Sequence, residues 1–322
     1  MSTPTAMLPP RLVGALAAVE VGSAGHRARV GEVDVVAAHP RELRRRLSEA
    51  LYEILHTGQS TQDGPPPRVA REPELEERFL AAMPHARTRV VAPLVSLPDD
   101  DGGTPVVEVD GVRVRVPVDR LAGDIPRDAG QLADVELGAA RPTLSPGFFL
   151  ARGSRGSIGL GPILRIYVHL KDPDTAVEAW AVALRALEMS EVRYQAKVLS
   201  SPVSYPRRDG LVIYLPAGEQ HIVHDVTSAL GEVDGLGAET SCFAERMAPG
   251  IAIAWEPADE RPGMGGLSFG QHRAAAIAEG LLSHAQNPED ATREVAIATA
   301  MVRAGIDPAN PSRNVPQHTT EN

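Results

Sequence analysis

The stretch ILRIYVHLKDPDTAVEAWAVALRALEMSEVRYQAKVLSSPVSYPRRDGLVIYL, residues 163–215, decides the fold. It contains a strand-like segment (ILRIYVHL), a helical segment (PDTAVEAWAVALRALEM) and two more strand-like segments (YQAKVLS and GLVIYL). Several connections in this half of the chain are too short for the crossover that parallel strands require. The pattern therefore predicts an α+β fold with a mostly antiparallel sheet and packed helices.

The segments on either side extend this pattern. Downstream, HIVHDVTSAL predicts a helix, IAIAW a strand and HRAAAIAEGLLSHA a long helix. Upstream, the stretch from Ala122 to Ser145 is rich in Gly, Pro and Asp, which is typical of a boundary. We therefore expect an N-terminal helical and β-hairpin region over residues 1–145 and a catalytic domain over residues 146–322.

The N-terminal region is predicted to contain two helices and one hairpin. HPRELRRRLSEALYEILHTG places leucines at helical spacing, and the residues from Glu72 to Met83 form a second helical segment. VVEV and VRVRV flank Asp110 and Gly111, a pair that suits a tight hairpin turn. The exposed edge of such a hairpin can accept a peptide strand, so we expect this region to dock a peptide. Five valines are predicted to share its buried face: Val107, Val109, Val112, Val114 and Val116.

Length and composition bound the class of protein. With 322 residues, 43% of them hydrophobic, the chain can bury one large core or two smaller ones. A net charge of -10 argues against a protein that binds nucleic acid or an anionic membrane. The single cysteine, Cys242, fits a reducing compartment, and no apolar run is long enough to cross a bilayer. The apolar stretch from Leu12 to Val19 is short and lacks a cationic n-region and a convincing cleavage site, so we expect no signal peptide and a cytoplasmic protein.

Several motifs of the large enzyme classes are absent. The sequence has no GxxxxGK[ST] or HExxH, and no GxGxxG at a strand-to-helix turn. GSRGSIGLG, residues 153–161, lacks the lysine of a phosphate-binding loop. His221 and His224 have helical spacing but no third metal ligand, so we expect neither a metal nor an organic cofactor. Glu256 and Asp259 could form a pair of catalytic carboxylates, but a solvated Pro-rich loop explains them equally well.

Polar side chains recur on the predicted strands. In the first strand, the period of two places Arg165, Tyr167 and His169 on one face. For this strand alone, a solvated face is the favoured interpretation. Lys197 shares a face with Gln195 in an otherwise apolar strand, although a lone lysine more often lies at a surface.

Further basic and hydroxylated residues follow along the chain. Arg207, Arg208 and Tyr214 belong to the segment PRRDGLVIY. His272 and Arg273 lie in the first turn of the long helix, whose N-terminus adds partial positive charge. In a chain that is otherwise acidic, these side chains together predict a pocket for a phosphate or a carboxylate.

The order of the segments resembles a known family. GFFLARGSRG, RIYVHL, YQAKVLSSPVSYPRRDGLVIYL, APGIAIAWEP and SFGQHRAAAIAEGL occur in the order seen in the HopA-type effector family. Over about residues 146–315 the chain is similar to the stand-alone lyases of that family in thioamitide and class V lanthipeptide biosynthesis. The resemblance implies a carbon–oxygen lyase that acts on a ribosomally made precursor peptide. A partner kinase phosphorylates Ser or Thr in the core of this peptide, and the lyase, in a complex with the kinase, removes the phosphate to leave dehydroalanine or dehydrobutyrine. The resemblance thus makes the kinase a second candidate for docking on residues 1–145.

The resemblance also implies roles for individual residues. The family is similar in turn to effector phosphothreonine lyases, which use a histidine acid, a lysine base and arginines around the phosphate, in that chain order. His169, Lys197 and the Arg207–Arg208 pair fall in the same order. Where those lyases carry a second lysine, two residues before the histidine, this chain has Tyr167.

The chemistry of elimination fits these assignments. The α-proton of a peptide residue is weakly acidic, so the base must be strong yet unprotonated near neutral pH. A lysine meets this demand where burial and neighbouring cations lower its pKa. We expect Lys197 to be the base, His169 the acid and Tyr214 a stabiliser of the developing enolate. The predicted phosphate ligands are Arg165, Tyr167, Arg207, Arg208, His272 and Arg273.

Two other functions stay open at this point. A non-catalytic protein of the same fold could bind the leader peptide or the kinase, and it would tolerate loss of Lys197 and His169 but not of an apolar patch. An effector that strips phosphate from host proteins is less well supported, because the chain lacks the Ser-rich start of a secreted effector.

Overall fold

The fold is described by a computed structural model that covers residues 8–59, 71–97, 104–109, 111–123 and 128–316. Within these ranges all paired strands are antiparallel, which confirms the predicted α+β class. Its α-helices are α1 (Pro10–Leu16), α2 (Pro40–Leu51), α3 (Pro73–Ala81), α4 (Pro173–Met189), α5 (Val223–Gly231), α6 (Phe269–Gln286) and α7 (Arg293–Arg303).

The strands form three sheets, with six strands in the largest. The order in the six-stranded sheet is β13-β14-β10-β12-β11-β9, in the five-stranded sheet β6-β5-β4-β8-β7, and in the small sheet β1-β2-β3. The strands, all within the described residues, are β1 (Val19–Val21), β2 (Arg27–Val30), β3 (Val33–Val36), β4 (Arg87–Ser96), β5 (Val106–Val109), β6 (Val112–Arg115), β7 (Leu121–Ala122), β8 (Leu132–Gly138), β9 (Phe148–Arg152), β10 (Ile163–Leu170), β11 (Gln195–Leu199), β12 (Arg207–Pro216), β13 (Glu245–Ala248) and β14 (Ile251–Trp255).

One face of the six-stranded sheet is covered by α4 and α5. The predicted helix PDTAVEAWAVALRALEM is confirmed as α4, which begins where Asp172 accepts a hydrogen bond of 2.8 Å from the Thr175 amide. Its Trp180 is fully buried against the alternate apolar residues of β10, such as Ile166. This face of the sheet is therefore apolar, and the polar side chains of β10 lie on the opposite face.

The opposite face of the sheet is covered by α6 and by the N-terminal elements. Leucines of α1 and α2 share one hydrophobic cluster with Tyr167 and Val212 of the sheet and with Phe269 of α6. The predicted helix from Pro40 is confirmed, but its last turn widens into a π-helix, Tyr52–Thr57, which ends at Gly58 with a φ of 77°. The N-terminal region therefore packs directly on the face that carries the polar residues. The proposed division at residue 145 stays a prediction.

The five-stranded sheet has a small core of its own. It contains the predicted hairpin as β5 and β6, while Asp110 of its turn lies outside the described residues. Val107, Val109 and Val116 are buried as expected. The prediction for Val112 is wrong: its side chain is 61% exposed, because β6 is an edge strand that nothing covers on this side within the described residues.

No helix of the described residues is long and apolar enough to cross a membrane. Over the same ranges, no group of three or more His, Cys, Asp and Glu side chains could hold a metal ion.

Candidate functional site

The polar face of β10 lies inside the protein. Arg165 is 7% exposed and Tyr167 is 3% exposed, so the solvated face expected for this strand alone is wrong. The reason is tertiary, because α6 and the π-helix cover this side of the sheet. A buried arginine must be paired, and its partners define the site.

A pocket of about 290 Å³ opens at this face. It is lined by Arg165, Lys197 and Tyr214 from three neighbouring strands. Two carboxylates, Glu256 and Asp259, line it from the loop after β14, together with the start of α6. The structure thus brings together three predicted site residues, and it places the Pro-rich loop against them.

Lys197 lines the pocket from β11. Its Nζ lies 4.4 Å from the ring centroid of Phe148 and 5.7 Å from that of Tyr214. Within the described residues Nζ has no hydrogen bond or ion pair, although Lys197 is only partly exposed. The whole chain has only two lysines among its 32 Lys and Arg residues, and the other is Lys171.

Arg165 lies on the Tyr214 side of the lysine. Its guanidinium carbon is 4.9 Å from the Tyr214 ring centroid, and its Nη1 donates to the Tyr167 hydroxyl over 3.4 Å. Its Nε and Nη2 are paired with Glu256. Burial disfavours the cation, but the two tyrosines and Glu256 outweigh this and raise the pKa of Arg165. The pocket therefore contains one arginine, Arg165, and its guanidinium is paired with the carboxylate of Glu256.

Arg207 lies on the Phe148 side of the lysine. Its guanidinium carbon is 6.0 Å from the Phe148 ring centroid. Its Nε donates to Asp209 over 2.6 Å, and its Nη2 donates to Asp209 over 3.1 Å and to the hydroxyl of Tyr52 over 2.9 Å. Burial raises the pKa of Asp209, but Arg207 and further cations, Lys197 among them, lower it to about 2. Lys197 therefore has Arg165 on its Tyr214 side and Arg207, which does not line the pocket itself, on its Phe148 side. Each arginine holds one carboxylate.

A β-bulge brings Asp209 to this side of the sheet. The partner of β10 shifts from Leu211 at Val168 to Arg207 at Leu170. As a result, an Asp209 oxygen lies 3.8 Å from Nε2 of His56 on the π-helix.

His56 itself is buried beneath the site. Its ring contacts Tyr167 edge-on, with centroids 5.2 Å apart, and its Nδ1 lies 2.8 Å from the Ser241 hydroxyl. Gly270 allows the first turn of α6 to approach the ring, because a Cβ there would overlap with His56. Burial lowers the pKa of His56 to about 4, so the ring is neutral near pH 7.

His169 and Arg208 lie outside the pocket. The His169 Nδ1 is 3.1 Å from the Glu239 carbonyl, and the ring packs against Gly237. Arg208 is paired with the Glu239 carboxylate and donates to the Ile54 carbonyl over 3.1 Å. Burial lowers the pKa of His169. The predicted acid is thus placed with one predicted phosphate ligand, but apart from Lys197.

His272 and Arg273 are fully buried behind the pocket. The His272 Nε2 is 2.8 Å from an Asp259 oxygen, so it touches a pocket residue without lining the pocket. Arg273 donates to the carbonyls of Pro311 and Arg313 over 2.9 and 3.2 Å. Arg273 thus connects α6 to the C-terminal segment through these hydrogen bonds. Binding of phosphate by these two residues stays a prediction.

Sequence reasoning missed three residues of this cluster. Tyr52 and His56 are four residues apart on a predicted amphipathic helix, and this spacing was the signal that they share its buried face. Asp209 follows Arg207 by two residues in the sequence. Its pairing with that arginine depends on a bulge that no sequence pattern reveals.

The comparison with protein families identifies the chain. The model of the HopA1 effector protein family matches residues 139–313, which is more than half of the sequence. This protein belongs to the HopA1 effector protein family. The match includes Lys197, Arg165 and Arg207, whereas Tyr52 and His56 precede it.

Two solved structures resemble this HopA1-family protein. One is the effector protein from Pseudomonas syringae pv. tomato strain DC3000, with 14% identity and a TM-score of 0.48, covering 83% of this chain and 90% of that chain. The other is the effector protein from Pseudomonas syringae pv. syringae strain 61, with 13% identity and a TM-score of 0.47, covering 83% and 89%. No curated protein matches the chain significantly.

Proposed function

We propose that this HopA1-family protein is a carbon–oxygen lyase acting on phosphoserine or phosphothreonine in a ribosomally synthesised precursor peptide. The product is dehydroalanine or dehydrobutyrine. The observation that carries the proposal is the amine of Lys197, which has no anionic partner among the described residues and lies between two arginines. An anionic ester that must also lose a proton fits this combination of groups.

Lys197 is the proposed base. An arginine stays protonated in proteins, whereas a lysine amine can release its proton and accept one from a substrate. In a chain with so few lysines, a lysine in this pocket is the group suited to proton abstraction. The amine takes the α-proton, the electrons of that C–H bond form the Cα–Cβ double bond, and phosphate leaves with the electrons of the Cβ–O bond.

The arginines and Tyr214 are proposed to stabilise the charge that develops. Guanidinium groups bind phosphate oxygens in a planar, two-pronged manner, and Arg165 and Arg207 flank the lysine. Phosphate must compete with Glu256 for Arg165. Tyr214 lines the pocket next to Lys197 and can donate to the enolate oxygen. His169 stays the proposed acid on the family resemblance, although it lies beside Glu239 and Arg208 and does not line the pocket.

The proposed partners follow from the chemistry. A phosphate ester in a peptide is made by a Ser/Thr kinase, so we propose that the lyase works in a complex with one. The single Cys242 fits a reducing compartment, and we place this complex in the cytoplasm. The scheme needs no metal or organic cofactor.

The five-stranded sheet offers a surface for the leader of the precursor peptide. β6 lies at its edge, with Arg113 and Arg115 exposed. Beside it, a pocket of about 510 Å³ is lined by Arg87, Arg115 and Arg120 and by one carboxylate, Glu136. The excess of positive charge favours an acidic stretch of peptide, and the open edge favours an extended one.

The test is a reaction of the purified protein with a synthetic phosphothreonine peptide, with and without a leader and with and without the kinase. Mass spectrometry distinguishes the products: elimination removes phosphoric acid, whereas a phosphatase leaves the hydroxyl. We expect elimination by the wild type and by Lys171→Arg, and none by Lys197→Arg. Dephosphorylation that leaves the hydroxyl would contradict the proposal.

The alternative is a non-catalytic protein that binds leader peptide or kinase. It predicts no elimination in any combination, and it predicts that Lys197→Arg binds the leader peptide or the kinase as tightly as the wild type does. Absence of elimination in every combination would replace the lyase by the binding protein.

A further inference from the structure

The π-helix of the N-terminal region places a tyrosine in the candidate site. Tyr52 is its first residue, and its ring stacks on His56 with centroids 5.4 Å apart. The wider π-turn is often found at functional sites because it redirects side chains that a regular helix would not bring together. Here it directs Tyr52 to Arg207 of the central sheet.

The hydroxyl of Tyr52 has a hydrogen left to donate. A phenol offers one acceptor oxygen and one donor hydrogen. Arg207 Nη2 donates to the oxygen over 2.9 Å, and among the described residues no acceptor receives the hydroxyl hydrogen. Burial and the nearby Asp209 raise the pKa of Tyr52 above its ordinary value, so the hydroxyl stays protonated at neutral pH. The Tyr52 side chain is only partly exposed, so its hydroxyl hydrogen is a donor that a bound anion can receive.

Arg207 has an unused donor on the same side of Lys197, the Phe148 side, which we call the Arg207 flank. Asp209 and Tyr52 take its Nε and Nη2, while Nη1 has no hydrogen bond within the described residues. Phe148 lies next to both this guanidinium and the amine of Lys197. Phosphate carries several acceptor oxygens, so it can receive Nη1 and a hydroxyl at the same time.

This flank is separate from the Arg165 flank. Phe148 pairs with Leu199 and Tyr214 pairs with Gln195, and these two residues lie on either side of Lys197 along β11. Along β11, Arg165 therefore lies towards the Gln195 side of the lysine and Arg207 towards the Leu199 side. On the Arg207 flank, the carboxylate that neutralises the arginine leaves Nη1 open, whereas Arg165 gives two of its nitrogens to Glu256 and its Nη1 to Tyr167.

We propose that Tyr52 contacts the substrate, donating its hydroxyl hydrogen to a phosphate oxygen that Arg207 also holds. This assignment rests on the proposed function for the identity of the anion, a phosphoserine or phosphothreonine side chain. It makes the N-terminal region a part of the site, because a residue that precedes the family match supplies a donor. Asp209 and His56 then act as positioning residues, the first for Arg207 and the second for the Tyr52 ring.

The test measures binding in a background that cannot turn over. Lys197→Ala is titrated with a synthetic phosphothreonine peptide and with the unphosphorylated peptide of the same sequence, with and without Tyr52→Phe. We expect Tyr52→Phe to weaken binding of the phosphorylated peptide about tenfold and to leave the other unchanged, since one hydrogen bond to a charged acceptor is lost. Tyr205→Phe is the matched control, because the Tyr205 hydroxyl is already bonded to the Leu199 carbonyl over 2.6 Å.

Three outcomes would overturn the assignment. They are equal affinity for the phosphorylated peptide with and without Tyr52→Phe, an equal loss for both peptides, and an equal loss with Tyr205→Phe. The binding result does not depend on catalysis. If the wild type eliminates nothing but Tyr52→Phe still weakens phosphate-dependent binding, the lyase proposal fails and the Tyr52 contact stands.

Discussion

Arg207 donates a hydrogen bond of 2.9 Å to the hydroxyl of Tyr52, although the two residues lie 155 positions apart in the chain. The first belongs to the segment that the family model matches, and the second to the N-terminal region. The bond is supported by a bulge in β12 and by a π-turn at the end of α2, two local irregularities that meet at one point. The candidate site is therefore built jointly by both parts of the chain.

The scarcity of lysine gives a direct probe of the pocket. In Lys171→Arg the only side-chain amine is that of Lys197. We expect an amine-reactive acylating reagent to modify Lys197 and the phosphothreonine peptide to slow this modification at least about tenfold, because a bound phosphate lies beside the amine. Peptide mapping by mass spectrometry measures the rate, with the unphosphorylated peptide as control. Equal protection by both peptides would contradict a phosphate site at the lysine.

Glu256 is expected to compete with phosphate for Arg165. The variant Glu256→Gln removes the charge that engages the guanidinium but keeps the size of the side chain. We predict that inorganic phosphate, as a product, binds this variant about tenfold more tightly, the size of one charge interaction in a partly buried site. Calorimetric titration measures the affinity. The control is Glu260→Gln on the same loop, whose side chain is exposed and has no ion pair within the described residues. Weaker or unchanged binding to Glu256→Gln would rule out this competition.

His56 is expected to make the folded protein sensitive to mild acid. Its pKa is lowered from 6.5 to about 4 by burial, so below pH 6.5 the unfolded chain takes up a proton before the folded one does. The free energy of unfolding should fall between about pH 6.5 and 4 by up to about 3 kcal/mol from this group. The contribution of Asp209, whose pKa is about 2, is lost only at lower pH.

Urea unfolding at a series of pH values checks this expectation. In His56→Gln the dependence on pH between 6.5 and 4 should be flatter, even though the variant is less stable at pH 7. His224→Gln removes a histidine whose side chain is 88% exposed and should leave the wild-type dependence intact. The same slope in His56→Gln and the wild type would mean that another group titrates.

Arg273 is expected to matter for stability. It is fully buried and bonded to two backbone carbonyls and to Asn314 Oδ1, over 2.9 Å in the last case. Replacement by Met leaves these acceptors without a donor, so Arg273→Met should lower the free energy of unfolding by about 3 kcal/mol or more. The exposed Arg303→Met is the control for loss of an arginine. A stable Arg273→Met protein that no longer binds the phosphopeptide would favour the phosphate role instead.

The edge of the five-stranded sheet is expected to bind acidic peptides. The double variant Arg113→Glu and Arg115→Glu reverses the charge of β6 without touching the candidate site. Fluorescence anisotropy with a labelled, glutamate-rich peptide should show binding by the wild type that weakens with salt and is lost in the variant. Arg185→Glu on the exposed face of α4 serves as control. Wild-type affinity in the double variant would place the leader elsewhere.

Sequence patterns located the elements of the second half of the chain well. The period of two along β10 and the apolar spacing and capping of α4 are local signals, and both elements appear where they were predicted. The same local signals placed Lys197 and Tyr214 on strands and identified the family order. They could not show which face of β10 is buried, because that depends on elements more than a hundred residues away.

The sequence by itself therefore determined the fold class, the strands that carry Lys197 and Arg165, and the family. Only the tertiary structure decided the rest. It buries Arg165 beneath α6 and pairs Arg207 with Asp209 through a bulge. It also places His169 outside the pocket that Lys197 lines, and it places Tyr52 next to Arg207. The physical reason is that periodicity reports on neighbours within one element, whereas pairing of buried charges depends on contacts between elements that are distant in sequence.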